Sequence, residues 1–354
     1  MRKLPRRFGF TLSVVLLLAF GCKGSGAVEG EVFGECKDGI DNDSDGLTDC
    51  EDADCITRDR CNGEPDSGME VDTGPSPDVC EPCVGDRAGW IRVEAGNDLS
   101  CGLTQSERIE CWGENSSGQR DVPQGIAFSA MAVGGYHVCA LDREGAPICW
   151  GNDLHGQATP PVGEVFEELS AGQWVSCGRK SSGDIRCWGM DAWGITTPPE
   201  TSFQQVSVGY DHVCALDDQK KVQCWGNSHE AKTIPPTNSR FERISAGGEH
   251  NCGILSSGRV ECWGSNLHGQ LDAVLGLYDH LDVGSSNSCA ISVDGEAVCW
   301  GIQEAEGTTE PLSYPGPEGL FSQISAGVNH ACAVGEDGRI QCWGDNTFEQ
   351  ANPP

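Results

Sequence analysis

From Trp90 to the C-terminus, short apolar runs alternate with polar, glycine-bearing breaks, and the pattern recurs seven times. The second copy shows it plainly. Phe128 and Met131 begin an apolar segment that ends at Val133-Gly134, and the break Gly135-Tyr136 leads into His137-Val138-Cys139-Ala140-Leu141. A polar turn from Asp142 to Gly145 returns the chain through Ile148-Cys149-Trp150-Gly151. β-Enriched residues around a turn of this kind predict a hairpin, preceded by one more strand.

Aligned on the first cysteine of each copy (Cys101, Cys139, Cys177, Cys214, Cys252, Cys289 and Cys332), the copies are spaced by 37 or 38 residues, and by 43 before the last. Ten residues later each has a second cysteine followed by Trp-Gly, from Trp112-Gly113 to Trp343-Gly344. Glycine stands five residues before the first cysteine, from Gly96 to Gly327. Val, Met, Leu or Ile stands eight before it, and an aromatic, from Trp90 to Phe321, eleven before it. Such self-similarity is the signature of a repeat architecture. With the turn centred near Glu144, Cys139 and Cys149 face each other across the hairpin. Opposed Cβ atoms stand about 4.5–5.5 Å apart and a disulfide wants about 3.5–4.5 Å. One cross-strand disulfide is therefore expected per copy: Cys101–Cys111, Cys139–Cys149, Cys177–Cys187, Cys214–Cys224, Cys252–Cys262, Cys289–Cys299 and Cys332–Cys342. The Trp after each second cysteine and the opening aromatic are expected to wedge between neighbouring sheets. His137, His212, His250 and His330 all stand two residues before a first cysteine, where other copies have Leu99, Val175 and Asn287. That exchange with Leu, Val and Asn marks a structural position rather than a metal or catalytic site.

Seven units of four or nearly four strands, closing radially, make an all-β, seven-bladed β-propeller, which removes exposed sheet edges by ring closure. The run aromatic–x–x–aliphatic–x–Ala/Val–Gly–x–x–His–x–Cys–Ala–Leu, then a Gly-bearing turn, then Cys–Trp–Gly–x–Asn–x–x–Gly–Gln, resembles the repeat of the regulator of chromosome condensation family over residues 90 to 354. The units are shorter than the eukaryotic ones and nearer bacterial relatives, including the β-lactamase-inhibitor propellers. Trp-Gly in every copy, in place of Trp-Asp, separates them from WD repeats. The resemblance implies a propeller that acts mostly by protein contact.

Composition adds the compartment. Lys+Arg number 23 against Asp+Glu 54, a net charge of −31 that excludes binding through a nucleic-acid backbone. Arg2, Lys3, Arg6 and Arg7 precede an apolar run, Phe8 to Gly21, too short to span a bilayer as a helix. It reads as an export signal. The end Leu18-Ala19-Phe20-Gly21-Cys22 resembles the bacterial lipoprotein cleavage box, which implies that Cys22 is lipidated and anchors the chain to a membrane. Lys23 after the cysteine implies passage to the outer membrane. Setting Cys22 aside leaves an even number of the 21 cysteines, as a disulfide framework in an oxidising compartment requires.

After the signal (residues 1–21) and a tether (22–35), residues 36–61 form an acidic, cysteine-bracketed segment. Asp41, Asp43 and Asp45 alternate before Gly46, with Asp49 and Asp52 further along. Hard oxygens at this spacing suit Ca²⁺, and they would repel one another without a cation. Asp at the last position and the lack of flanking helical patterns argue against an EF-hand proper. The stretch looks like the Asp-rich, Cys-bracketed repeats of bacterial surface proteins. Residues 62–89 read as a flexible linker, in which Cys80 and Cys83 form a structural disulfide rather than a redox pair.

No phosphate loop, nucleophile elbow or pair of catalytic carboxylates stands at a recognisable spacing. The leading expectation is a non-catalytic scaffold that binds a protein or a cell-envelope polymer. The alternatives are a hydrolase or lyase working in the central channel and, last, guanine-nucleotide exchange, which a secretion signal disfavours. The variable pair after each repeat glycine should lie on one rim. There Tyr136, Trp174 and Tyr210 form a candidate interface, bordered by Asp98, Asp211 and Glu249, with Trp193 a second anchor.

Overall fold

The computed structural model describes residues 89–301 and 314–354. Cys22, the candidate calcium ligands Asp41, Asp43, Asp45, Asp49 and Asp52, and the cysteines at 36, 50, 55, 61, 80 and 83 lie outside the described residues.

Each sequence copy is one antiparallel sheet, ordered inner, middle and outer strand. The first three blades are β1 (Trp90–Ala95), β2 (Leu99–Thr104) and β3 (Ile109–Gly113); β4 (Phe128–Val133), β5 (His137–Asp142) and β6 (Pro147–Gly151); and β7 (Glu168–Ala171), β8 (Val175–Arg179) and β9 (Ile185–Gly189). The fourth and fifth are β10 (Phe203–Val208), β11 (His212–Asp217) and β12 (Val222–Gly226), then β13 (Phe241–Ala246), β14 (His250–Leu255) and β15 (Val260–Gly264). The sixth has β16 (Tyr278–Val283), β17 (Asn287–Ser292), β18 (Ala297–Gly301) and a two-residue β19 (Tyr314–Pro315), and the seventh β20 (Phe321–Ala326), β21 (His330–Gly335) and β22 (Ile340–Gly344).

Among the described residues, only the sixth blade carries a fourth strand. The near-four-stranded expectation therefore gives way to three strands in the other blades. The segments after β3, β6, β9 and β12 contain Pro123, Pro160-Pro161, Pro198-Pro199 and Pro235-Pro236, which have no N–H to extend a ladder.

In every blade the two cysteines are direct cross-strand partners, for example Cys139 opposite Cys149, and all seven expected disulfides are present, with Cα–Cα distances of 4.0–4.1 Å. The opening aromatic and the Trp of one blade sit side by side and cover the disulfide of the blade before. Phe166 and Trp188, 5.8 Å apart, thus join Cys139 and Leu141 in one buried cluster. The same packing closes the ring, since Val93 and Trp112 of the first blade bury Cys332 and Val334 of the seventh.

Polar side chains of the inner strands do what backbone pairing does within a sheet. Gln323 Oε1 accepts from Val93 N (2.9 Å) while its Nε2 donates to Val93 O (2.8 Å), and Gln205 repeats the pair with Ile244. Ser325, Ser207 and Ser170 accept from Ala95, Ala246 and Val208 N in the next blade. The repeat glycines form the tightest ring. A Cβ on Gly134 would stand 2.6 Å from Gly172 O, and the same overlap with the next blade's glycine carbonyl runs through all seven, ending with Gly327 on Gly96. No larger residue fits there.

The four histidines are clamps between blades. Nε2 of His137, His250 and His330 lies 2.7–2.8 Å from Oγ of Ser176, Ser288 and Ser100 in the following blade. These serines donate onward to Gln157 O, Gln270 O and Gln350 O, so each histidine is the donor. His212 Nε2 donates to Asn251 Oδ1 (2.7 Å). Where the first position is Leu99 or Val175, its counterpart in the next blade is Val138 or Val213, in the same apolar cluster.

Candidate functional site

Because the strands are antiparallel, the inner-to-middle turns and the loops leaving the outer strands emerge on one face. A hydrogen bond ties each loop to its turn: Asn152 N to Tyr136 O, Met190 N to Trp174 O and Asn227 N to Asp211 O, each 2.9 Å. The middle-to-outer hairpin turns emerge on the other face.

The structure gathers all four aromatic candidates on the first face. Tyr136 and Trp174 lie with ring centroids 5.3 Å apart, and His155 meets Trp174 edge-on at 5.3 Å. Beside this stack, Trp174, Trp193 and Tyr210 wall a pocket of about 270 Å³ between the third and fourth blades, with Val175, Met190, Ala192 and Ile195 as its apolar surface and Gln173 and Asp211 as its polar groups. Tyr210 also lines the mouth of the central channel, and its burial there pushes the phenol pKa up. Trp193 is 63% exposed, held in the left-handed region at φ 57°. A bulky residue in that region is a genuine outlier.

The pocket exists because the third blade departs from its own repeat. In the first two blades the loop is latched by a buried glutamine: Gln157 Nε2 donates to Asn152 Oδ1 (3.0 Å) and its Oε1 accepts from His155 N (2.9 Å), and Gln119 does the same with Glu114 and Ser117 N. The third blade has Met190 and Ile195 at these two positions. An apolar pair cannot latch the loop by hydrogen bonds, but it builds the floor on which aromatic walls stand. Ile195 keeps the backbone role of the glutamine it replaces, accepting from Trp225 Nε1 (2.8 Å) as Gln157 O accepts from Trp188 Nε1 (3.0 Å). Comparing the copies column by column would have found both residues; the motif that names the repeat hides them, since it records what the copies share.

Charge borders the aromatic set. Lys232 is fully buried with its Nζ 2.6 Å from Asp211 and 2.8 Å from Glu249, and Asp211 also accepts from Asn227 Nδ2 (2.7 Å). Across the channel mouth, burial and the neighbouring Asp345 and Glu114 carboxylates push the Asp98 carboxyl above its usual range.

The central channel, a cavity of about 540 Å³, is lined by Arg92, Glu94, Glu168, His280 and Asp282 among others. Asp282 accepts from Ser245 Oγ (2.7 Å), Ser325 Oγ (2.9 Å) and Ala326 N (2.8 Å). Glu94 pairs with Arg92 at 2.7 Å, and Glu168 takes Arg179 at 2.8 Å and Val206 N at 3.3 Å. These carboxylates hold blades together or pair with an arginine. Burial raises the pKa of all three.

The regulator of chromosome condensation (RCC1) repeat model matches residues 128–157, 203–230, 241–270 and 321–350, which are the second, fourth, fifth and seventh blades. No curated protein matches the chain by sequence. Among solved structures it is similar to the ectodomain of the Arabidopsis thaliana receptor kinase ACR4, at 29% identity and a TM-score of 0.59 over 71% of this chain and 93% of that one. It is similar also to the ectodomain of the Physcomitrella patens receptor kinase CR4, at 26% identity and a TM-score of 0.61 over 73% and 74% of the two chains. A chain in the structure of Kap60 bound to yeast RCC1 (Prp20), 18% identical with a TM-score of 0.55 over 64% and 72%, shares the fold. Four blades match the repeat model, and repeat motif, seven stapled sheets and fold together support reading residues 90–354 as a β-propeller of regulator of chromosome condensation (RCC1) repeats.

Proposed function

We propose that this protein is an exported, lipid-anchored scaffold whose propeller captures a protein or cell-envelope polymer, with no catalytic step of its own. The observation that carries the reading is the convergence of Tyr136, Trp174, Trp193 and Tyr210 on one face around a preformed pocket. Half-buried aromatics around a concave site are what binding hot spots are made of. The engagement of Glu94, Glu168 and Asp282 in contacts between and within blades supports binding over chemistry in the channel. Likeness to two receptor-kinase ectodomains supports a module that works outside the cytoplasm. In this reading Cys22 carries the lipid at the outer membrane, and Asp41, Asp43, Asp45, Asp49 and Asp52 hold calcium in the segment between anchor and propeller. Radiolabelled palmitate should enter the wild-type chain and not Cys22→Ser, and calorimetry of the full chain should show a calcium isotherm that Asp43→Asn with Asp45→Asn abolishes.

The test of the scaffold is comparative capture from an envelope extract. The wild-type propeller and a variant of the opposite face (Lys220→Ala with Lys221→Ala) should retain the same bound species, and Tyr136→Ala with Trp174→Ala and Tyr210→Ala should lose them. Equal retention by the aromatic variant, with its seven disulfides intact, would discard this face.

A further inference from the structure

We infer that the pocket between the third and fourth blades receives the cationic side chain of a basic polypeptide, with an arginine or lysine seated between Trp174, Trp193 and Tyr210. The inference rests on the scaffold reading and specifies its partner.

The pocket is lined by the rings of Trp174, Trp193 and Tyr210 and by a carboxylate, Asp211. A guanidinium or ammonium group is attracted to the negative face of an aromatic ring, and a tryptophan face is the strongest such partner. Its aliphatic stem can lie on Met190 and Ile195 while the charged end stays against the rings. Lys232 neutralises part of the border, yet it stands between two carboxylates, Asp211 and Glu249, so this cluster keeps a net negative charge.

The two faces of the propeller differ in the same sense. The turns and loops of the pocket face carry Asp98, Glu114, Asp153, Asp191, Glu230 and Asp345 besides Asp211 and Glu249. Among the described residues its lysines and arginines are Lys232, which is buried, and Arg120, whose Nη1 donates to Gly113 O. The hairpin turns of the opposite face balance Arg108, Arg143, Lys180, Lys220, Lys221, Arg259 and Arg339 against Glu107, Glu144, Asp184, Asp218, Asp294, Glu296, Glu336 and Asp337, so that face is close to neutral where the pocket face is strongly acidic. A basic segment is therefore drawn to the pocket face, and an acidic one is repelled from it. Trp193, mostly exposed and fixed with positive φ beside this border, is placed to close over the arriving side chain.

Calorimetry on the full-length protein tests this with four probes: a hexapeptide bearing two arginines, the same peptide with citrulline for arginine, the same with phenylalanine, and a neutral hexasaccharide. The arginine peptide should bind saturably, at least about fivefold more tightly than the citrulline peptide, and more weakly as salt rises from about 0.05 to 0.5 M. Trp193→Phe should keep the affinity within about threefold, and Trp193→Leu, still apolar but without a π face, should lose about tenfold. Equal or tighter binding of the citrulline, phenylalanine or saccharide probe overturns the inference, as does an unchanged affinity in Trp193→Leu. If no probe binds while the triple aromatic variant still loses partner capture, the cationic ligand is wrong and the scaffold reading stands.

Discussion

At the scale of single residues, the clearest relation is between a side chain in one blade and its counterpart in the next. A histidine two residues before the cysteine meets a serine or asparagine, and a leucine or valine meets a valine. Asn287 breaks the rule. It is fully buried, its counterpart in the seventh blade is Ala331, and neither end of its amide has a hydrogen-bond partner among the described residues. A buried amide left unpaired costs roughly 1–3 kcal/mol. Asn287→Leu, which copies Leu99, is expected to raise stability by about 1 kcal/mol in urea unfolding. The clamps also set a pH response. Burial lowers His137, His212 and His330 to about 4 and His250 to about 3, while an unfolded histidine titrates near 6.5. Between those values the unfolded chain binds more protons, so the stability held by the clamps is complete above pH 6.5 and is lost as pH falls toward 4. The raised carboxyls of Glu94, Glu168 and Asp282 act in the opposite sense, so a variant must isolate the histidine. His137→Leu with Ser176→Val reproduces the Leu99–Val138 contact. It should shrink the loss of stability between pH 7.5 and pH 5 by about 2 kcal/mol relative to wild type; an unchanged pH dependence would show that His137 is not held neutral.

At the scale of the element, each blade is a small sheet with two features that the sequence carries openly, the disulfide and the repeat glycine. The bridge closes a loop of ten residues, worth up to about 3 kcal/mol in the chain-entropy model. Cys139→Ala with Cys149→Ala should lower stability by about 2–3 kcal/mol in chemical unfolding. Gly134→Ala should cost more than about 2 kcal/mol, because the new Cβ meets Gly172 O at 2.6 Å and the His137 ring at 2.5 Å, and neither can withdraw without moving a blade. The turn near Glu144 was legible because a hairpin fixes which residues oppose one another, and from that the cysteine pairing follows. The number of strands per blade was less legible. A proline pair after the outer strand reads equally as a turn or as a broken edge strand, and only packing against the next blade decides. What the loop leaving the outer strand does was not legible at all from the motif. The buried carbonyl of Gln119, Gln157, Ile195, Lys232, Gln270 or Gln350 caps the indole of the next blade, a backbone role that tolerates any side chain.

At the scale of the whole molecule, ring closure turns local repetition into one asymmetric surface. The first and seventh blades meet through Val93, Gln323, Ala95 and Ser325 by the same bonds that join other neighbours, and among the described residues each blade is built from consecutive strands of the chain. The disulfide and repeat glycine shared by every blade leave the loops free to differ, and the third blade uses that freedom to replace a polar latch with Met190 and Ile195. The rim aromatics were legible in the sequence because they occupy the variable pair after an invariant glycine. Their meeting with Trp193 was not, since it depends on the angle between neighbouring blades. In the proposed scaffold, partners bind on the face carrying these aromatics. Hydrogen exchange followed by mass spectrometry, with and without the species captured from the envelope extract, tests it most directly. Slowed exchange should fall on residues 134–136, 172–174, 190–195 and 209–211; protection of the opposite hairpin turns at 105–108, 142–146 and 218–221 instead would contradict it.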